Sequence, residues 1–547
     1  MKRTLFVLLL LASSASAQDL HISWVVHSIG PDSLNDYPHS LALGQGGEII
    51  VTGVRRSALS LDDIVTMKLA TDGTLLWSAC YDGTAHKSDK PTQLVLDRYG
   101  YVYVGGTSRG KVGLLESDDG VVVKYHPTGE QAWVWRFEGG NNSQDAMNGI
   151  AVDPQRNVLA AIRRIEYPTL TMNELVTCKL HPTGVEAWSE TLPVHRWSEC
   201  FGIRTDNQGD AILGGWLWQG VGNPDYEFFA LAKYDHNGSF LWFSPFRDSS
   251  AWSANGEVFT PDEAGNIFAA GVTEKITREE VFATGKYDAS GVQVWYKEFL
   301  LEDNSYPEVV DIATDVDGNV FWLAVMSTDS TDDDMVVAKY LSNGDPAWVH
   351  VFSMEGAQTP TAITVDQEGN LYAVCEAQVT DNVWGFIVAK LDRSGTVEWT
   401  TIWQAEGSYC EPYDIAVDQD NNVIVLSSAD FDTNITSISI WKFRQPDVTG
   451  IPAQPRVQGP SGFGLDQNFP NPFNPVTVIT YRLPSRSHVQ LRVVNVLGEE
   501  VALLVNEIQG QGAFSVEFDA SHLPSGIYFY SLHAGSNVAA KKLVLLK

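Results

Sequence analysis

The stretch Lys233–Trp242, KYDHNGSFLW, sets the pattern for most of the chain. Its spacing of Lys, Gly and Trp occurs seven times, with Trp-to-Trp steps of 56, 55, 54, 53, 53 and 51 residues. A fixed period near ~50 residues is typical of propellers and repeat arrays, in which each repeat buries its apolar faces against its neighbours. The copies are Lys68–Trp77, Lys124–Trp133, Lys179–Trp188, Lys233–Trp242, Lys286–Trp295, Lys339–Trp348 and Lys390–Trp399.

A second marker lies between these copies and has the form apolar-x-apolar-Asp-x-x-Gly-Asn-apolar, as in Ile363–Val374, ITVDQEGNLYAV. Its flanks are rich in β-branched and aromatic residues, which indicates strands, and Asp-x-x-Gly is turn chemistry. One repeat therefore contains two hairpins, or four strands, which is the content of a propeller blade. Turns of this kind are centred on Gly46-Gly47, Asp97–Gly100, Asp153–Asn157, Asp206–Gly209, Asp262–Gly265, Asp315–Gly318, Asp366–Gly369 and Asp418–Asn421.

The two ends of the repeat region complement one another. Trp24 has no Lys tract in front of it, whereas Lys442 has no Trp strand after it. Pairing of the strand His21–His27 with the strand Ile438–Arg444 would complete one more blade and remove an open sheet edge. We therefore predict eight four-stranded blades, with seven as the alternative. The blade markers that we expect to pack between blades are Trp24, Trp77, Trp133, Trp188, Trp242, Trp295, Trp348 and Trp399.

Together the two markers resemble the bacterial β-propeller repeat family of the seven-bladed type over most of residues 20–445. The Lys-to-Trp tract is also similar to the tryptophan-docking motif of quinoprotein propellers, but the second marker fits the first family better. The resemblance implies an all-β, closed β-propeller over residues 18–445. It implies no activity, because a fold does not fix function.

Residues 1–17 have the features of an export signal. Lys2 and Arg3 precede the apolar run Leu5–Ala12, and Ala15-Ser16-Ala17 is a small-residue cleavage site. The apolar run is too short to cross a bilayer, and no later segment is long and apolar enough to do so. We therefore predict a cleaved signal peptide and an extracytoplasmic chain without a transmembrane segment.

The net charge of −32 is concentrated in residues 1–462, since residues 463–547 contain six basic and six acidic side chains. An acidic surface of this size argues against nucleic acid as a partner. The five cysteines, which include no C-x-x-C pair, do not form a disulfide framework and are expected mainly to be small buried hydrophobes.

Residues 446–462, PDVTGIPAQPRVQGPSG, are rich in Pro and Gly and read as an extended linker. The tail that follows, residues 463–547, contains short strand patterns at regular spacing, which predicts a small antiparallel β-sandwich.

The tail closely resembles the C-terminal sorting domain of the type IX secretion system of Bacteroidetes-type bacteria. Four blocks carry the resemblance in order: Asn468–Pro475, Val494–Val501, Leu523–Tyr530 and Lys541–Leu546. It implies export through the periplasm to the cell surface or medium, with the secretion machinery and its C-terminal signal peptidase as partners. The motif residues are Asn471, Pro472, Phe473, Asn474, Pro475, Gly498, Leu523, Pro524, Ser525, Gly526, Tyr528, Lys541 and Lys542.

An acidic residue precedes the Lys of several tracts by five or six positions. A ring of carboxylates at one rim could bind Ca²⁺ or a polyol, but a solvated charge at a strand entrance explains the pattern equally. The positions are Asp63, Asp119, Glu174, Glu227, Glu280 and Asp334. The segments Asp329–Asp334 and Asp430–Asn434 are acidic like calcium loops but lack the EF-hand form. We therefore expect no cofactor other than a peripheral Ca²⁺.

Catalytic motifs are absent from the sequence. Histidines such as His39, His86, His195, His236 and His350 have no metal-ligand spacing, and no H-E-x-x-H, G-x-S-x-G or phosphate-binding Gly loop occurs. No Cys-Cys pair supports a quinoprotein dehydrogenase. Catalytic carboxylate pairs cannot be recognised without coordinates.

Aromatic side chains offer one further candidate. Trp216 and Trp218, placed at the start of a long loop Trp216–Tyr226, either stack on sugars or pack in the core. The reading that follows is a secreted or cell-surface propeller that binds a glycan or protein, without predicted catalytic residues. The alternative is an extracellular propeller enzyme that acts on polysaccharide or peptide.

Overall fold

The computed structural model describes most of the chain as β-strands, and in the described residues it contains no helix, so none there could cross a membrane. The described residues are 5–9, 20–30, 34–57, 61–112, 115–137, 139, 143–166, 173–193, 197–219, 226–246, 253–275, 280–299, 305–328, 331–352, 357–380, 383–403, 409–430, 435–445, 464–465, 468, 473, 475–483, 487–495, 500–509, 512–524, 526–534 and 537–545.

Eight four-stranded antiparallel sheets, blades 1 to 8, follow one another along the chain. A single parallel bridge between Phe228 and Ala254 also links blades 4 and 5. In order from first to fourth strand, the blades are Asp36–Leu43, Ile49–Ser57, Leu61–Leu69 and Leu75–Tyr81; Asp89–Leu96, Val102–Val112, Leu115–Tyr125 and Gln131–Phe137; Ser143–Val152, Val158–Glu166, Asn173–Leu180 and Glu186–Thr191; Trp197–Thr205, Ala211–Gln219, Tyr226–Tyr234 and Phe240–Pro245; Ser253–Pro261, Ile267–Glu274, Glu280–Tyr287 and Gln293–Phe299; Ser305–Thr314, Val320–Thr328, Thr331–Tyr340 and Pro346–Phe352; Gln358–Val365, Leu371–Thr380, Val383–Leu391 and Val397–Trp403; and Cys410–Val417, Val423–Asp430, Thr436–Arg444 and His21–Ile29.

Both ends of the repeat region meet in blade 8. His21–Ile29 pairs antiparallel with Thr436–Arg444, and Trp24 faces Lys442 in the register. This arrangement confirms the predicted eight blades and the pairing of the orphan Trp and Lys strands. The strand Leu5–Leu9, within the predicted signal peptide, lies against His21–Ile29 as a fifth strand of this sheet.

The first strands form the inner ring, because each contacts the first strands of the blades before and after it, and blade 8 contacts blade 1 in the same way. Packing between blades follows the same order. One core cluster joins Trp24, Ile424 and Ile440 of blade 8 to Ile49 and Val65 of blade 1. The ring is therefore closed by both backbone pairing and a shared apolar core.

The third strands show why the repeat makes a propeller. Ile64–Leu69 is buried at every position, although alternate residues of a strand point to opposite faces. A strand that is apolar on both faces needs a cover on each side. The blades before and after supply these covers.

The C-terminal unit, Pro452–Lys547, is a second compact unit, and the first is Met1–Ile451. It contains a three-stranded and a four-stranded antiparallel sheet around one apolar core that includes Ile479, Tyr481, Leu491, Tyr530 and Leu543. This confirms the predicted small sandwich. Its strands are Gly464–Leu465, Val476–Leu483, Ser487–Asn495, Glu500–Gln509, Gly512–Asp519, Gly526–Ala534 and Asn537–Leu545.

All five cysteines lie in described strands, and all are free thiols. Cys178, Cys200, Cys375 and Cys410 are buried, whereas Cys80 is exposed. Burial raises the pKa of the Cys178 and Cys200 thiols to about 12, so both stay protonated and apolar in character at neutral pH.

Candidate functional site

The Asp of the second marker organises the turn between the first and second strands of a blade. In blade 7, Asp366 Oδ1 accepts hydrogen bonds from the backbone N–H groups of Glu368 and Asn370 at 3.0 and 2.9 Å. Its Oδ2 accepts one from the Asn370 side chain at 2.8 Å. Where the marker lacks Gly, Arg156 and Asn421 take the same positive φ, 71° and 59°. The turn therefore uses both the Asp and the Asn of the marker.

In blades 3, 4, 6 and 8 the Lys of the first marker, on the third strand, forms an ion pair with the marker Asp of the same blade. Lys179 Nζ lies 2.9 Å from Asp153 Oδ2, and Lys233 Nζ lies 2.7 Å from Asp206 Oδ2. A buried charge is stable only when it is paired, which explains why both markers recur together. In blade 1, Glu48 replaces the Asp as the partner, 3.0 Å from Lys68 Nζ.

The Trp of the first marker holds the next blade. The Trp188 indole N–H donates to His236 O at 3.2 Å, and the ring covers Gly238, where a Cβ would lie 2.8 Å from the ring. The same bond recurs from Trp24 to Thr71 O, Trp77 to Pro127 O, Trp133 to Pro182 O, Trp242 to Ala289 O and Trp295 to Ser342 O. The dominant sequence pattern thus joins blades, so a ligand site is expected where a blade departs from this pattern.

Blade 8 has no turn between its third and fourth strands, because its fourth strand comes from the other end of the chain. Gln445 takes its place: its Oε1 accepts from Lys390 Nζ at 3.0 Å, and its Nε2 donates to Tyr372 Oη and Asn421 O at 2.9 and 2.6 Å. The last residue of the predicted propeller therefore completes the contact between blades 7 and 8.

A groove of about 500 Å³ opens between blades 3 and 4, on the side of the marker turns. In blade 2 the corresponding positions hold Tyr99 and Tyr101, whose rings stack with Arg156. Blade 3 has Gln155 and Asn157 there, so it lacks these two rings. The lining residues are Gln155, Asn157, Lys179, His181, Ala187, Trp188, Gln208, His236 and Asn237.

The chemistry of this groove is polar and nearly neutral. Lys179 is already paired with Asp153 and also donates to His236 O at 3.2 Å. The side chains of His236 and Asn237 are exposed and lie 3.0 Å apart, Nε2 to Nδ2. Trp188 is partly exposed beside them. An aromatic ring among amides and imidazoles suits a ligand that combines apolar faces with many hydroxyl groups.

The six acidic residues before the Lys tracts each lie on the third strand of their own blade. Asp119 pairs with Arg136 at 2.7 Å, and Glu174 pairs with Arg164. In the described part of the chain, only Asp63 joins a group of three such ligand residues. Its carboxylate oxygen lies within 4.8 Å of those of Asp82 and Asp89.

Every first strand contains a β-bulge at the same position, as between Val309 and Asp311 and between Pro412 and Asp414. The side chain after the bulge can reach the next blade. Asp311 Oδ2 accepts from Ile363 N at 2.9 Å, and Asp414 Oδ2 accepts from Leu41 N at 2.8 Å. Burial raises the pKa of Asp311 to about 6 and that of Asp414 to about 7.

The aromatic pair, the acidic segments and His195 were further candidates from the sequence. The predicted long loop from Trp216 is wrong at its start, because the second strand of blade 4 continues to Gln219, and Trp216 packs on Phe201 at 5.2 Å between ring centroids. Trp218 lies on the same strand. The segments 431–434 and 329–330 of the two acidic loops lie outside the described residues, as does His195.

Sequence reasoning missed the groove and the group of three aspartates. Only a comparison of turn positions between repeats could have indicated the groove, through the change from Tyr99 and Tyr101 to Gln155 and Asn157. Asp82 and Asp89 lie outside both markers, so the repeat pattern carried no signal for them.

In the sorting unit, Phe473 and Tyr528 belong to the apolar core, and Leu523 packs against it. The Tyr528 hydroxyl donates to Pro524 O at 2.8 Å, and Pro475 O accepts from Ala520 N at 2.9 Å. Gly526, Lys541 and Lys542 are exposed. Asn471, Pro472, Asn474, Gly498 and Ser525 lie outside the described residues.

Residues 467–546 match the family model of the secretion system C-terminal sorting domain. No curated protein matches the chain. A similar solved structure is the β-propeller domain of the Trilobed protease from Pyrococcus furiosus, with 9% identity, a TM-score of 0.38, and coverage of 66% of this chain and 99% of that one. Another is the WD40 domain of SCAP from fission yeast, with 8% identity, a TM-score of 0.42, and coverage of 81% and 98%.

A third is the Penicillium chrysogenum alpha-L-arabinanase, with 10% identity, a TM-score of 0.31, and coverage of 54% of this chain and 92% of that one. At such values we take neither an activity nor a ligand from these structures. The sorting domain indicates export, with the cell surface or the medium as the destination. The chain is a β-propeller repeat protein with eight four-stranded blades that ends in a type IX secretion system C-terminal sorting domain.

Proposed function

We propose that this protein is an exported, non-catalytic binding protein whose propeller holds an oligosaccharide in the groove between blades 3 and 4. The observation that carries the proposal is the groove itself, where Trp188 lies beside the side chains of Gln155, Asn157, His236 and Asn237. Amides and imidazoles both donate and accept hydrogen bonds, as sugar hydroxyl groups do. The lysine of the groove is paired, so no free cation there favours an anionic ligand.

The net charge of the chain supports a neutral ligand. The charge of −32 disfavours nucleic acid and anionic membrane surfaces. A volume of about 500 Å³ lies within the usual range for small-ligand sites, roughly 300–1,000 Å³. A short oligosaccharide, or the end of a longer glycan, suits a groove of this size.

The test fills the groove without touching the contacts that join the blades. Ala187 lines the groove and precedes the marker Trp188, and Ala347 has the same repeat position in blade 6; both are exposed. We expect A187W to weaken binding of the best glycan from an array at least ~10-fold in titration calorimetry, and A347W to leave it unchanged. Equal binding by both variants, or a wild-type array without ligands, would overturn the proposal.

A propeller enzyme is the second candidate, and one observation favours it. The first strands of blades 1 to 3 bury Asp36, Asp89 and Asp145, and Arg55 and Arg164 face two of them. Release of reducing sugars or of peptides by the purified propeller would establish the enzyme and exclude a purely binding role.

The proposed route of export includes removal of the tail. We infer that the C-terminal signal peptidase cuts within residues 446–462, which include the boundary between the two compact units at Ile451 and Pro452. Attachment to the surface or release into the medium follows this cleavage.

A further inference from the structure

Three aspartates meet where blade 1 passes into blade 2. Asp63 lies on the third strand of blade 1, Asp82 follows its fourth strand, and Asp89 begins the first strand of blade 2. One carboxylate oxygen of each lies within 4.8 Å of the others. Asp63 and Asp89 are buried, whereas Asp82 is exposed.

Blade 1 shows how an arginine can neutralise such a buried carboxylate. Asp36 of blade 1 and Asp145 of blade 3 have the position of Asp89, and the register places Arg55 opposite Asp36 and Arg164 opposite Asp145. Arg55 Nε lies 3.0 Å from Asp36 Oδ2. In blade 2 the opposite residue is Ser108, which carries no charge. Asp89 thus lacks the guanidinium that its counterparts face.

Two arginines near the three aspartates bind other groups, and His86 binds Asp82. Arg55 bonds to Asp36 and to Ser28 Oγ, the latter at 3.0 Å. Arg136 bonds to Asp119, Tyr81 Oη and Ser108. His86 Nδ1 lies 2.6 Å from Asp82 Oδ2, and the nearby carboxylate raises the pKa of this exposed imidazole. Among the described residues, no basic side chain forms an ion pair with Asp89.

Asp89 also has an unused ligand atom. Its side chain is fully buried; Oδ2 accepts from Gly83 N at 2.6 Å, but Oδ1 has no hydrogen-bond partner. A buried carboxylate oxygen without a partner is costly, and a bound cation would remove both the missing bond and the repulsion among the three carboxylates.

We propose that Asp63, Asp82 and Asp89 bind one Ca²⁺ ion, which takes the place that Arg55 has beside Asp36 in blade 1. Carboxylate oxygens are the ligands that Ca²⁺ prefers, and water completes its six to eight ligands on the exposed side of Asp82. The ion ties the third strand of blade 1 to the first strand of blade 2. This inference is independent of the proposed ligand groove.

The experiment uses the full chain after treatment with EDTA and measures Ca²⁺ binding by titration calorimetry and thermal unfolding. We expect Ca²⁺ to raise the melting temperature of the wild type, since a ligand bound only by the folded state stabilises it. D82N, at an exposed ligand, is expected to weaken Ca²⁺ binding at least ~10-fold. D118N, at a half-buried aspartate on the third strand of blade 2, is the matched control and should bind like the wild type.

A wild type without a calcium response would overturn the inference. An unchanged response in D82N would do so as well, since it would place the ion elsewhere.

Discussion

At the residue scale, the glycine of the Lys-to-Trp tract performs two tasks. Gly129 has a φ of +92°, and Trp77 of the preceding blade lies so close that a Cβ would be 2.6 Å from its ring. Gly100, in the other turn of the same blade, has a φ of +78°, but the nearest atom to its Cβ would be 3.8 Å away. Both glycines are needed for their backbone conformation, but only Gly129 is also needed for the close contact between blades.

We expect G129A to destabilise the propeller more than G100A. Both variants strain the backbone, at a cost of about 1–3 kcal/mol, because each places a side chain at positive φ. Only G129A also displaces the Trp77 ring, which adds about 1–3 kcal/mol of overpacking. Melting temperatures from calorimetry provide the comparison, and equal losses would show that the ring does not depend on this glycine.

At the scale of elements, the carboxylates after the bulges join neighbouring blades. Asp414 links blade 8 to blade 1, and Asp311 forms the same bonds between blades 6 and 7. Asp414 therefore lies where the two ends of the chain meet, whereas Asp311 lies between blades that are continuous in sequence.

We expect D414N to destabilise the closed ring by about 1–3 kcal/mol, because an amide cannot accept hydrogen bonds from both Leu41 N and Ile415 N. D311N makes the same local change away from the closure and serves as the control. Hydrogen exchange of the strand His21–Ile29 measures the difference. Faster exchange in D311N than in D414N would contradict the role of Asp414 in closure.

The pKa of Asp414 gives this contact a pH dependence. Burial raises it to about 7, and the charge of Asp311 adds to the rise. A carboxyl whose pKa is higher in the folded than in the unfolded state binds protons on folding, so its contribution to stability is present at low pH and is lost as pH rises through 7. We expect the stability difference between wild type and D414N to be larger at pH 5 than at pH 8, by urea unfolding. A difference that grows with pH would contradict the raised pKa.

At the scale of the whole molecule, the propeller and the sorting domain have separate cores. The sorting core contains residues of the tail alone, such as Phe473, Tyr481 and Leu543. We therefore expect each unit to fold around its own apolar core.

We expect deletion of residues 463–547 to leave a folded propeller in the periplasm, because the sorting domain directs the export step. Cell fractionation and surface proteolysis locate the truncated and the full-length proteins in the same cells. Surface display of the truncated form would refute the sorting role. The mass of the exported full-length form should correspond to a start at Gln18 and an end within 446–462.

The sequence by itself determined the repeat, the count of eight blades and the sorting tail. The repeat can be recognised in the sequence because its Lys, Gly and Trp make similar contacts in successive blades. The same residue types therefore recur at the same spacing. The tail can be recognised in the sequence by motif residues that build its core: Phe473 and Tyr528 lie in this core, and Leu523 packs against it.

Only the tertiary structure decided where a ligand or ion can bind. Gln155 and Gln208 line one groove although they belong to different blades, and Asp63 meets Asp82 and Asp89 across the junction of two blades. These residues depart from the repeat, so no spacing in the sequence predicts that they lie close together. They are neighbours because adjacent blades pack against one another, and this packing sets the distances between their side chains.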